Sequence, residues 1–256
     1  MKSAYNRAYT AQCLFRLRES GVQYISKKEL VKYFKKQTPK ISDSTIRRRI
    51  YDLKKSGVIT NFGRGLYLIE KRSPFLPPDT AFLKKVVKSL SKRFPYLNNY
   101  RIWETKWLSE FTVHQATLPL VILEVERDTE ESVFNFLKES YKHVFLKPGI
   151  KEIEKYFAFN ERNIVVKPLI SQSPTSKIGN IKIPKIEKIL VDLFCEKNLF
   201  IAYQGQELIN IYENVIKKYA FNRTTFWSYA KRRKRDDKIR KFILENYIKG
   251  FMEEEN

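Results

Sequence analysis

The stretch Ser42-Asp43-Ser44-Thr45-Ile46-Arg47-Arg48-Arg49-Ile50-Tyr51-Asp52-Leu53-Lys54-Lys55-Ser56-Gly57 decides how the N-terminal quarter of the chain folds. Ser42 or Asp43 offers a side-chain oxygen to the free amides of a helix start, and Gly57 suits the left-handed backbone at a helix end. At about 100° per residue, Ile46, Ile50 and Leu53 fall in one narrow sector. Ser44, Arg48, Tyr51 and Lys55 lie opposite, with Thr45, Arg47, Arg49 and Lys54 on the flanks. One face is built for a core and the other for a polar partner.

Upstream, Tyr5–Arg18 carries apolar residues at helical spacing, and Ser26-Lys27-Lys28-Glu29 is a capping-box pattern opening a second helix with Leu30, Val31 and Phe34 on its buried side. Downstream, Val58-Ile59-Thr60 and Leu66-Tyr67-Leu68-Ile69 flank a Gly-containing turn around Arg64, which reads as a hairpin. Three helices and a hairpin in this order predict a winged helix-turn-helix whose third helix enters a major groove. The expected DNA contacts are Lys27, Lys28, Ser44, Thr45, Arg47, Arg48, Tyr51, Lys55 and, at the wing tip, Arg64. The competing reading is a solvated basic helix face.

The charge distribution favours a polyanionic partner. The 256 residues carry 50 Lys and Arg against 28 Asp and Glu, a net +22. Residues 1–72 hold 18 basic and 5 acidic residues, so the first quarter of the chain supplies +13 of that excess. Three prolines in Ser73-Pro74-Phe75-Leu76-Pro77-Pro78-Asp79 preclude regular structure there. Segment 73–79 is therefore read as a linker between a winged-helix domain, 1–72, and a second domain, 80–256.

That second domain is expected to be mixed α/β with a helical C-terminal part, an α+β or α/β arrangement overall. Helices are expected at Thr80–Arg93, Thr105–Phe111, Thr129–Ser140 and Lys151–Phe157. Strands are expected at Arg101–Glu104, Leu120–Glu126, Val144–Leu146 and Asn163–Lys167, in a mostly parallel sheet. Beyond Ile183 the pattern turns helical: Lys185–Glu196, Gln206–Tyr219, Thr224–Arg235 and Lys238–Lys249.

No catalytic signature emerges. His114 and His143 are the only histidines, and Cys13 and Cys195 the only cysteines; no pair has metal-ligand spacing, and both cysteines read as reduced core residues. Phosphate-cradling glycine loops, nucleophile elbows and the paired carboxylates of a nucleotidyltransferase are missing. Glu104, Glu124 and Glu126 sit at strand ends beside Arg127, a weak echo of a metal-dependent nuclease with arginine in the lysine place. The alternative for these carboxylates is pairing with solvent or with basic helices. The run Lys231-Arg232-Arg233-Lys234-Arg235, preceded by Trp227 and Tyr229, reads either as a phosphate- or partner-binding patch or as a solvated helix end. With no apolar N-terminal leader and no membrane-length apolar run, a cytoplasmic protein is expected.

Several stretches together resemble one branch of the AbiE-type (type IV) antitoxins of bacterial toxin–antitoxin operons. They are Ile102-Trp103-Glu104-Thr105-Lys106-Trp107-Leu108, Leu123-Glu124-Val125-Glu126-Arg127-Asp128, Val133-Phe134, Lys167-Pro168-Leu169-Ile170-Ser171, Glu187-Lys188-Ile189-Leu190-Val191-Asp192-Leu193 and Tyr229-Ala230-Lys231-Arg232-Arg233, beside the N-terminal winged helix. The resemblance implies an antitoxin and autorepressor of its own operon, not an enzyme. Its partners would be operator DNA, a co-encoded nucleotidyltransferase-like toxin and, on DNA, a second copy of the chain, with no membrane and no cofactor. The alternatives are a winged-helix regulator whose α/β domain senses a ligand or oligomerises, and a DNA-processing nuclease.

Overall fold

A computed structural model describes residues 14, 17–18, 21–55, 57–69, 72, 74–77, 81–113, 119–157, 162–248 and 251. The chain divides into two compact units. The first takes residues 1–76 together with 218–222, and the second takes 77–217 and 223–256.

The first unit runs β1 (Tyr24–Ser26), α1 (Lys27–Gln37), α2 (Asp43–Lys55), β2 (Ile59–Gly63) and β3 (Leu66–Ile69). The strands form an antiparallel sheet in the order β1-β3-β2. The expected capping box is present: the Ser26 amide donates to Glu29 Oε2 at 2.7 Å, and the Glu29 amide donates to Ser26 Oγ at 3.2 Å. At the start of α2 the Thr45 amide donates to Ser42 Oγ at 3.3 Å, and Gly57, at φ +75°, closes the helix. Ile46, Ile50 and Leu53 are buried with Leu14, Leu30, Phe34, Ile59 and Ile69 in one core. Of the expected helix Tyr5–Arg18, only Leu14, Leu17 and Arg18 lie within the described residues, and all three are helical. The returning segment joins this unit through Tyr219, whose ring meets Phe75 edge-on at 5.2 Å, and Ala220, whose Cβ would stand 3.6 Å from a Cβ at Gly57.

The second unit is mixed α/β. Its elements are α3 (Ala81–Arg93), β4 (Arg101–Glu104), β5 (Leu120–Val125), α4 (Glu130–Ser140), β6 (Val144–Leu146), α5 (Ile150–Tyr156), β7 (Asn163–Pro168), β8 (Thr175–Ile178), β9 (Ile181–Pro184), α6 (Ile186–Cys195), α7 (Gln206–Lys218), α8 (Arg223–Arg232) and α9 (Asp236–Glu245). The central sheet has the order β4-β5-β7-β6, with β5, β7 and β6 parallel and β4 antiparallel at the edge. Every residue of β5 is buried, and so is every residue of α6 from Ile186 to Phe194. A helix buried on all sides needs neighbours all round. α8 packs against α6, and from α7 the Tyr212 hydroxyl donates to the Leu190 carbonyl at 2.9 Å.

Several expectations are corrected. Thr105–Phe111 is only a 3-10 turn, Thr105–Leu108, because the Thr105 side chain is tied to β5: the Leu120 amide donates to Thr105 Oγ1 at 2.8 Å. The segment before α6, for which no element was expected, forms an antiparallel hairpin, β8–β9, around Gly179, which has φ +58°. The helix expected to reach Arg235 stops at Arg232. Lys234 adopts φ +53°, and the Arg235 amide reaches back to the Ala230 carbonyl at 3.1 Å, a left-handed helix cap. Cys195 is half-buried rather than in the core, and Cys13 lies outside the described residues. Among the described residues no helix is long and apolar enough to cross a membrane.

The two faces of α2 give a direct test of the packing. Ile50→Ala is expected to destabilise the first unit by about 2–5 kcal/mol, whereas Arg48→Ala, on the exposed face, changes stability by less than about 0.5 kcal/mol. Equilibrium denaturant unfolding of both variants measures the difference.

Candidate functional site

In the first unit the expected contact residues, Lys55 apart, are exposed to solvent. Ser44, Thr45, Arg47, Arg48 and Tyr51 are exposed along α2, and Lys27 and Lys28 are exposed in the first turn of α1. Lys55 closes α2, and its side chain lies outside the described residues. Arg64 is exposed in the tight turn between β2 and β3, where Gly65 takes φ +74°. The Lys27 amide donates to the Gly65 carbonyl at 2.7 Å, which fixes the hairpin tip against the start of α1. Lys27 and Arg47 also meet across a shallow cleft of about 400 Å³ between α1 and α2, beside Lys35 and Asp43. Arg49 is different. It lies half-buried with its guanidinium 5.4 Å from the Phe34 ring centre, so it serves packing. Sequence reading missed one further surface feature, an exposed pair of Tyr24 and Phe62 with tilted rings whose centres are 4.5 Å apart.

In the second unit the charged residues are brought together in the interior. The strand registers set Arg101 of β4 beside Glu124 of β5, and Glu124 beside Lys167 of β7, so three charges of alternating sign share one level of the sheet. α6 lays Lys188 and Asp192, one turn apart, over that row. Lys188 Nζ is fully buried, donates to Glu124 Oε1 at 2.7 Å, and is paired with Asp192. Lys167 Nζ lies 3.5 Å from Glu124 and is paired with Glu196. From the end of α8, Tyr229 Oη donates to Asp192 Oδ1 at 2.9 Å, and Arg233 bridges Asp192 and Glu196 at 2.9 Å each. Glu124 Oε2 and Arg101 Nε remain buried without a hydrogen-bond partner.

The electrostatics follow from this geometry. Burial disfavours the charged form of Asp192, Lys188 and Lys167. For Asp192 the attraction of Lys188, Lys167 and Arg233 outweighs burial and holds the carboxyl below its ordinary value. Burial likewise opposes the charge on Lys188 and Lys167, but their carboxylate neighbours hold both above the usual lysine value. The Cys195 thiol is pushed up to about 11 by burial, so at neutral pH it is protonated and a poor nucleophile.

The remaining expected residues separate. Glu104 is buried on β4, Glu126 is half-buried in the loop after β5, and Arg127 is exposed. Glu124 is paired with lysines from a helix and a strand. Among the described residues no group of three or more His, Cys, Asp or Glu is placed to hold a metal ion. Of the run 231–235, Lys231, Arg232, Lys234 and Arg235 are exposed, with Arg232 tied to Gln172, while Arg233 points inward to Asp192 and Glu196.

A family of unknown function (DUF6577) matches residues 45–249. The chain belongs to that family. No curated protein matches it. The span this DUF6577 member shares with its family runs from the first turn of α2 beyond α9 and contains the whole buried charge network.

Lys188→Met removes the counter-charge of two buried carboxylates and is expected to cost about 3–5 kcal/mol of stability. Glu124→Gln, which leaves Lys188 its bond to Asp192, is expected to cost less; thermal and denaturant melts compare the two. The pH dependence is two-sided. The Asp192 contribution is complete above its ordinary value of 3.8 and is lost as the pH falls through its depressed folded value. The Lys188 and Lys167 contributions are complete below the ordinary 10.5 and are lost as the pH rises through their raised folded values. Stability is therefore expected to fall at both extremes, and Lys188→Met flattens the alkaline limb in a pH series of melts.

Proposed function

We propose that the first unit is a winged helix-turn-helix that binds duplex DNA through α2, and that the protein acts in the cytoplasm as an antitoxin-type repressor of its own operon. One observation carries the DNA reading. α2 buries Ile46, Ile50 and Leu53 and leaves Ser44, Thr45, Arg47, Arg48 and Tyr51 facing solvent, with Arg64 at the tip of the adjacent hairpin. Arginine forks match the guanine major-groove edge, and exposed lysines at a helix start suit phosphate. The +13 charge of residues 1–72 supports the same partner.

The antitoxin half of the proposal rests on the resemblance to the AbiE-type proteins. It assigns the second unit to counteracting a co-encoded nucleotidyltransferase-like toxin. The closed ion pairs around Glu124 favour a structural role for that carboxylate over metal-dependent cleavage of DNA, because a cation there would have to displace Lys188 and Lys167.

The full chain is expected to retard a DNA fragment from its own promoter, with log affinity falling against log salt by about 0.9 per neutralised phosphate. Arg48→Ala should weaken that binding by roughly 1–3 kcal/mol if Arg48 reads a base. In a strain carrying the neighbouring toxin gene, Arg48→Ala should lose promoter repression and still restore growth. An unshifted promoter fragment at low salt refutes the DNA assignment. Failure of the wild-type chain to restore growth refutes the antitoxin assignment.

A further inference from the structure

The second unit holds a cleft of about 630 Å³ at the C-terminal ends of the parallel strands β6 and β7. Open parallel sheets commonly place ligands at this edge, and the volume falls within the range of small-molecule sites. Six of its lining residues are lysine or arginine, and one, Glu196, is acidic. The internal pairing shows which charges remain open. Lys167 and Arg233 are both held by Glu196, and Lys147 pairs with Glu130 at 3.2 Å. Lys197, Arg235 and Lys238 are exposed at the cleft and have no acidic partner among the described residues. Three like charges converging on one concavity repel one another and attract a multiply charged anion.

Apolar side chains line the rest of the cleft, and Lys197 Nζ stands 5.4 Å from the Phe194 ring centre. Val165 is buried at the base, and Ile170, Phe194 and Leu199 add a hydrophobic wall. Inorganic phosphate would leave that wall and most of the volume unused. A ligand with several phosphates at one end and a flat, weakly polar group at the other matches both halves.

We propose that this cleft binds a nucleoside polyphosphate, with Lys197, Arg235 and Lys238 holding the phosphates and the base resting on Ile170 and Leu199. The buried ion pairs give the site its rigidity. Lys167 and Arg233 are fixed by Glu196, which lines the cleft with them, and Asp192 braces Arg233, so these walls are set before any ligand arrives. The assignment is independent of DNA binding by the first unit, because no residue of α2 contributes to the cleft.

Calorimetric titration of the full chain with ATP tests it. Saturable binding is expected, weakened about tenfold or more by Arg235→Ala and by Lys238→Ala, since each loses a charge-assisted contact. Lys241→Ala, on the same helix α9 but outside the cleft, and Arg48→Ala on α2 should bind as the parent does. All four positions are exposed, and melting curves verify that each variant is folded. Absence of binding at millimolar ATP overturns the proposal. So does a loss that follows Arg48→Ala rather than Arg235→Ala, which would place the nucleotide on the DNA-reading surface. Inorganic pyrophosphate binding as tightly as ATP overturns the role given to the apolar wall.

Discussion

The second unit is organised around a lysine that has no access to water. Lys188 sits on a helix whose residues from Ile186 to Phe194 are all buried, and an uncompensated ammonium there would cost several kcal/mol. Its two carboxylate partners come from different places, Glu124 from the central strand β5 and Asp192 from one turn along α6. Satisfying Lys188 therefore fixes the rotation of α6 over the sheet. Satisfying Asp192 in turn draws in Tyr229 and Arg233 and so positions the end of α8. One desolvated charge thereby constrains a strand and two helices. Its energetic yield over an apolar packing is small in general, and what it supplies is a single permitted arrangement.

The two units use positive charge in different ways. In the first, Arg47 and Arg48 of α2 stay in solvent, where their field extends outward and is screened by salt. In the second, Lys167, Lys188 and Arg233 are withdrawn into ion pairs and contribute little external field. The net charge of the sequence alone does not separate these roles. Lys231, Arg232, Lys234 and Arg235 remain outside, and only Arg233 of that run is turned inward.

Much of the fold was legible because local chemistry determines it. The Ser26–Glu29 capping box, the apolar stripe of α2, the Gly57 stop and the strand Leu120–Val125 all depend on neighbours close in sequence. The β8–β9 hairpin carries a readable signal: Gly179-Asn180 is a two-residue turn between Ile178 and Ile181. The charge network was illegible for a different reason. Lys188 and Asp192, four apart, look like an ordinary exposed helix pair, and only the central sheet and α8, both distant in sequence, bury them. Arg233 was likewise hidden among its cationic neighbours, since the left-handed turn at Lys234 that re-aims the chain has no glycine to announce it. The cleft depends on that same tertiary assembly.

The return of residues 218–222 to the first unit has a bearing on biosynthesis. A ribosome releases the sheet and helices of residues 21–69 early, yet the segment carrying Tyr219 and Ala220 emerges only after most of the second unit has been made. At about 5–20 residues per second, the interval between Leu76 and Asn222 is roughly 7–30 s. The first unit is thus begun before the second but completed only when most of the second has been made. A chain cut short before Lys218 would have a first unit lacking its closing segment.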